Sequence, residues 1–507
     1  MDISKEKIKV WLKDKHNFTF ILLIIVAILL RGYYFSVTDN QPLWWDEAGY
    51  MASAKAYAGI GSYALESIRS SGFSRTMSIF YLIGIENEGI IRFFGLLIPS
   101  IILLILTYIL LSRMYEDRRI ALIGTAIMVV LWENVFYSNR FHTENFALIF
   151  QYIALIALIG LYNYNSKLSK SWSIGTIIVS VILMFWYRPG NIIFIPAAIA
   201  FIALMHAPKF TNTKNKKIIT IASILAIIVL FFILLNSFAE NPLVATYYHP
   251  DYPISWNSLN VFLGFFKSPI SWLPSLFFYA FLIGIFGALF TIYLYFPQIL
   301  KEPNQLPHNV KGDILNVLIL LSVMIGFILL IRPTAFEYRW FFPLLPALLG
   351  FTASGVITFS DWFSQKLGKK NISIFIIFII VILGIYTQIT IIDPLAKSKS
   401  TSYDQIKQAG IWFNENVPAD EIVLSTSTPQ IAYYSERETI TYSSMSLEEF
   451  EDFLSNHKSQ YLLVSVFEGN PPWLIDWINT NKDRLTPLQA YNLNGQTAAI
   501  IYLVKTT

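Results

Sequence analysis

Asp46 and Glu47 stand side by side in the run Pro42-Leu43-Trp44-Trp45-Asp46-Glu47-Ala48-Gly49-Tyr50, just past the first long apolar segment. Adjacent carboxylates at the edge of such a segment suit two uses. One is general acid–base chemistry; the other is capping of the following helix, with Trp44 and Trp45 in an interfacial aromatic belt. The loop alone leaves both open. Further charges gather at the ends of apolar segments: Arg92, the run Arg140-Phe141-His142-Thr143-Glu144, Arg188-Pro189, and Arg332-Pro333-Thr334-Ala335-Phe336-Glu337-Tyr338-Arg339. Any one arginine could be an interfacial anchor that snorkels to water. Together they compose a polar cavity in which guanidinium groups hold an anionic headgroup while a carboxylate moves a proton. Arg188, Arg332 and Arg339 are natural holders of a lipid-linked phosphate or pyrophosphate, because the planar guanidinium meets such anions bidentately. A sugar on that phosphate is already activated, the phosphate being its leaving group. An acceptor hydroxyl then needs an in-line base, for which Asp46 is the candidate, and a single displacement inverts the anomeric carbon.

The elements that position these residues must cross a membrane. Of 507 residues 55% are hydrophobic and only 14% charged, and the mean hydropathy is +0.53, whereas soluble domains carry about a quarter charged residues. Runs of roughly 20 apolar residues fit helices through a bilayer core of about 30 Å. Spans are expected at 18–38, 88–111, 119–137, 143–162, 172–187, 190–206, 217–238, 273–296, 313–332, 340–358 and 371–392, eleven in all. The first follows a lysine-rich tail, residues 1–17, with no small-residue cleavage site, so it reads as a retained span. With that tail in the cytoplasm, the inner segments hold nineteen Lys and Arg and the outer loops eight. This asymmetry puts the N-terminus inside and everything after the last span outside, in a multi-pass protein of the cytoplasmic membrane. Absent cysteine excludes disulfides, thiol nucleophiles and cysteine-ligated metal centres. A net charge of +4 gives no nucleic-acid footprint.

The transmembrane part, residues 18–394, is expected to carry two long outside loops, 39–87 with short amphipathic helices and 239–272 rich in proline and aromatics. From 395 to 507 the composition becomes that of a small outside domain. Strands are expected at 421–425, 438–442, 461–467 and 498–504, with helices at 403–416, 447–457 and 472–481 and a helical turn at 429–434, in a partly parallel α/β sandwich. It has no GxGxxG after a strand and no GK[ST] loop, and reads as a docked, non-catalytic module.

In this order, the features resemble those of the GT-C glycosyltransferases, membrane enzymes that take sugars from polyprenyl-phosphate donors, and within them the protein O-mannosyltransferase and aminoarabinose-transferase-like branch. The Asp-Glu pair of a first outside loop is matched by Asp46-Glu47, and an arginine opening the second span by Arg92. A Tyr-x-x-Arg-x-x-x-acid run is matched by Tyr137, Arg140 and Glu144, and a late Arg-Tyr with Pro-x-x-Pro by Arg339-Trp340 and Pro343-Leu344-Leu345-Pro346. Trp340 departs from the usual tyrosine, whose phosphate contact Tyr338 could supply. Ser74-Arg75-Thr76-Met77-Ser78 stands where relatives have His-Pro-Pro. The resemblance implies a GT-C fold, a dolichyl- or undecaprenyl-phosphate sugar as donor, and a protein, lipid or glycan acceptor. It implies catalytic roles for Asp46 and Glu144, with Glu47 as helper or ligand; the residues expected to bind the donor are Arg92, Arg140, Arg188, Arg332, Glu337, Tyr338 and Arg339. The sequence demands no cofactor but leaves a divalent cation open: Asp46, Glu144, His142, Glu337 and His249 are donors suited to Mg²⁺, Mn²⁺ or Zn²⁺, the first three being the candidate ligands. A polytopic transporter or lipid-linked-sugar flippase is the alternative, and it calls for internal repeats and ionisable residues at span centres.

Overall fold

The computed structural model describes residues 5–65, 69–162, 169–206, 256–267, 276–331, 338–369, 371–456 and 459–505, with 222–223, 226, 228–235 and 273. The chain divides into two compact units. The first comprises Met1–Phe35, Leu97–Asn139 and Thr143–Leu395; the second joins Ser36–Leu96 and Arg140–His142 to Ala396–Thr507.

The first unit is helical. Among the described residues, nine helices are long and apolar enough to cross a membrane. Two of the eleven expected spans are not among them. Most of 217–238 lies outside the described residues, and 119–137 is not one helix but two, Arg118–Val130 and Trp132–Tyr137, broken at Leu131. Nothing in the local sequence announces this break, because Leu131 is apolar and neither glycine nor proline is near. It is held from a distance. Arg31, fully buried in the Lys15–Val37 helix, donates to the carbonyls of Val129 at 2.9 Å and Met128 at 3.4 Å and to Asn134 Oδ1 at 2.6 Å. Gln388 Oε1 accepts the Trp132 N–H at 2.8 Å. Three of the backbone groups freed by the break are thereby satisfied, as an apolar medium demands.

The Leu276–Lys301 and Leu345–Lys366 helices pack backbone to backbone. A Cβ at Gly284 would lie 1.9 Å from the Phe351 carbonyl oxygen, and one at Gly355 would lie 1.8 Å from that of Ala280. Small residues permit this approach in membrane helices.

The second unit is built on a five-stranded sheet, β1 (Ile422–Ser425), β2 (Glu438–Ile440), β3 (Ser459–Ser465), β4 (Leu485–Leu493) and β5 (Gln496–Lys505), in the order β2-β1-β3-β5-β4. β1 pairs in parallel with β2 and β3; β5 runs antiparallel to β3 and β4. One layer of the core packs Ile406, Phe413, Val423, Leu463 and Ile501, and the other Leu424, Tyr442, Phe450, Leu462 and Trp477. β4 was not among the expected strands: Pro487 breaks its pattern, and most of it is exposed at the sheet edge, where proline is tolerated. The Trp45–Tyr57 and Ser71–Leu82 helices belong to this unit, with Met51, Phe73 and Met77 buried.

Candidate functional site

Trp45–Tyr57 begins immediately before the two acids, so both lie in its first turn, where a helix dipole favours negative charge. They then diverge. Glu47 is fully buried: its Oε2 accepts from Arg140 Nη1 at 2.9 Å and from the Trp44 N–H at 3.0 Å, and its Oε1 accepts from the Phe141 N–H at 2.9 Å. Burial alone would raise its pKa, but the charges of Arg140, His142 and Arg92 and the Trp44 N–H outweigh it and hold the carboxyl below its usual range. Glu47 therefore caps its helix and ties the loop to Arg140, which also lies over the Trp44 ring, 3.5 Å from its centroid.

Asp46 points elsewhere. Its side chain is 30% exposed, and Oδ1 accepts from Arg69 Nη1 at 2.8 Å. Gly49, one turn on, makes room: a Cβ there would lie 2.9 Å from Arg69 Nε. Sequence reasoning counted Arg69 only as a topology charge, and the signal that could have found it is the glycine three residues after the acid. Arg92 is buried and donates to the carbonyls of Thr38 at 2.8 Å and Gln41 at 2.7 Å, with Glu88 Oε2 at 3.5 Å. Arg92 and Arg140, expected to hold phosphate, fix the backbone and the carboxylate of the segment that carries Asp46.

A second cluster lies in the first unit. Arg188 precedes Pro189, and proline restricts its predecessor to extended backbone; Arg188 accordingly has φ −151° and ψ 98°, and the Lys170–Tyr187 helix stops before it. Its Nη1 donates to Glu144 Oε1, and Arg339 Nε lies 4.0 Å from the same oxygen. Glu144 and Arg188 are almost completely buried, while Arg339 keeps 20% of its side chain exposed. Further along the helix of Glu144, Gln151 receives Asn191 Nδ2 at 2.9 Å and donates to the Pro343 carbonyl at 2.9 Å. One side chain thus ties the helix of Glu144 to the segments that carry Arg188 and Arg339. Arg332, Glu337 and His249 lie outside the described residues, as does the side chain of Tyr338.

Asp46 and His142, two of the three donors that a divalent cation would take, belong to the second unit, and Glu144 belongs to the first. Among the described residues no group of three or more His, Asp or Glu could hold a metal ion. Asp46 is paired with Arg69, and Glu144 with Arg188.

These features define a polytopic helical membrane protein of the GT-C fold with a small C-terminal α/β domain. No family profile matches the chain, and no curated protein sequence does. Its structural likeness is to ArnT from Cupriavidus metallidurans. The crystal structure of that protein bound to undecaprenyl phosphate superposes with a TM-score of 0.56 at 9% identity, covering 95% of this chain and 97% of ArnT. Its apo state gives 0.53 at 9% identity, with the same coverage.

Proposed function

We propose that the protein is an inverting glycosyltransferase that moves a sugar from a polyprenyl-phosphate donor to a hydroxyl or similar acceptor on a protein, lipid or glycan. The work is assigned to the outer face of the cytoplasmic membrane, which the lysine and arginine asymmetry supports. The observation that carries the reading is the unequal burial of two adjacent acids: Glu47 is fully buried, whereas the Asp46 side chain stays 30% exposed. The fold shared with a protein crystallised with undecaprenyl phosphate supports the donor class.

In this reading Asp46 takes the proton of the acceptor hydroxyl as its oxygen bonds to the anomeric carbon. The bond from that carbon to the phosphate oxygen breaks, and polyprenyl phosphate leaves with the electron pair. Arg188 and Arg339 balance the phosphate charge, and Glu144 holds both arginines in readiness. The test is transfer from a polyprenyl-phosphate sugar by purified protein carrying Asp46→Asn. A rate lower by roughly 10²–10⁴ is expected for a lost general base. Full activity would remove Asp46 from that role, and donor movement across the membrane without cleavage would overturn the glycosyltransferase reading.

A further inference from the structure

The loop that bears Asp46 is held at both ends by a helix nearly four hundred residues further along the chain. The Thr428–Ser435 helix lies between β1 and β2. The hydroxyl of its Tyr434 accepts the Leu43 N–H at 2.9 Å, just before Trp45–Tyr57 begins. At the far end of that helix, Lys55 Nζ donates to the Tyr433 carbonyl at 3.0 Å and pairs with Glu436 at 2.7 Å. A third point joins the Tyr433 and Tyr81 hydroxyls at 3.2 Å, reaching the Ser71–Leu82 helix.

The clamp is rigidly mounted. Gly410 lets Tyr434 seat directly on the Asp404–Asn416 helix, since a Cβ there would lie 2.5 Å from Tyr434 Cβ. Arg437 donates to the carbonyls of Val417, Ser435 and Asn414, each at 3.1 Å or less. Glu436 closes the helix with φ at +58°, a left-handed conformation that favours glycine. A carboxylate stands there instead, and it is the one that meets Lys55.

We infer that the C-terminal domain is a working part of the enzyme: Tyr434 and Glu436 are positioning residues that set the placement of Asp46 without touching substrate. The inference rests on Asp46 being the base. A base serves only within hydrogen-bond reach of its proton, and a displacement of about 1 Å can lower a rate by roughly 10²-fold. A module that merely docked would have no need to grip both ends of one short helix.

The experiment uses the full-length protein in lipid nanodiscs with a polyprenyl-phosphate sugar. Tyr434→Phe removes one oxygen and keeps the ring. It should lower kcat by roughly tenfold or more, leave the donor KM within about twofold, and speed hydrogen exchange in the 43–57 segment. Lys55→Glu should behave similarly, and adding Glu436→Lys should recover part of kcat, since the ion pair returns but the Tyr433 carbonyl still lacks its donor. Tyr434→Phe with wild-type kcat and wild-type exchange would overturn the clamp alone. Full activity of Asp46→Asn would overturn the base assignment alone, and the exchange measurement would still report whether the clamp exists.

Discussion

Glu47 and Arg140, 93 residues apart in sequence, form an ion pair of 2.9 Å in which the two side chains retain 0% and 1% exposure. The remaining acceptor capacity of the carboxylate goes to backbone N–H groups on both sides of the pair, at Trp44 and Phe141. The pair therefore fastens two stretches of backbone to each other.

Removing one partner leaves a buried charge uncompensated, which costs about 3–5 kcal/mol. Glu47→Ala and Arg140→Met should each destabilise the protein by that order, seen as a lower melting temperature in detergent. Because the two residues act together, the double variant should be less destabilised than the sum of the single ones. A fully additive cycle would show that the pair is not a unit.

Acid should attack the same pair. The folded-state carboxyl of Glu47 lies below its ordinary pKa of 4.5 because cationic neighbours outweigh burial. Its contribution to stability is thus present above that ordinary value and is lost as pH falls through the lower folded value. Stability measured against pH should fall less steeply in this acid range for Glu47→Gln than for the unaltered protein. Identical slopes would contradict the assignment.

Arg188 and Arg339 share Glu144, so a phosphate brought to them would compete with an internal carboxylate. Charge-assisted hydrogen bonds are worth about 1.5–3 kcal/mol, so Arg188→Met or Arg339→Met should weaken binding of undecaprenyl phosphate by roughly 10- to 100-fold. Binding can be followed by thermal shift against lipid-phosphate concentration. Unchanged affinity in both variants would remove them as the phosphate holders.

Gly49→Ala places a methyl group against the Arg69 guanidinium that pairs with Asp46. The long side chain can yield, so folding should survive with a melting temperature close to that of the unaltered protein. The effect belongs on kcat and on its pH profile, because the environment of the Asp46 carboxylate changes. Unaltered kinetics would show that the Arg69 contact has no bearing on turnover.

Much of the membrane part was legible because apolar runs of span length leave few alternatives to a helix. The break at Leu131 was not, since its cause is Arg31 and Gln388, remote in sequence. In the C-terminal domain the apolar strands announced themselves, while β4 was hidden by Pro487 and its exposed face. Its signal was the Asn494-Gly495 turn, with φ values of 51° and 81°, the dipeptide that favours a tight hairpin. At the site, residue type revealed which side chains were chemically notable but not their allegiance. The oxygen partners of Arg92 and Arg140 could not be read from the sequence, and Asp46 and Glu47 look equivalent until one is buried.

The tie between Arg31 and the broken helix bears on how the chain is made. Arg118–Val130 is 13 residues long, too short to cross a hydrocarbon core of about 30 Å alone. The carbonyls of Met128 and Val129 near its end find their donor in a helix synthesised nearly a hundred residues earlier. The Lys15–Val37 helix is thus made before the stretch from 118 to 137, and its guanidinium supplies donors that this stretch lacks. Arg31→Met should therefore lower the yield of folded protein recovered from the membrane, and an unchanged yield would show that the break needs no such donor.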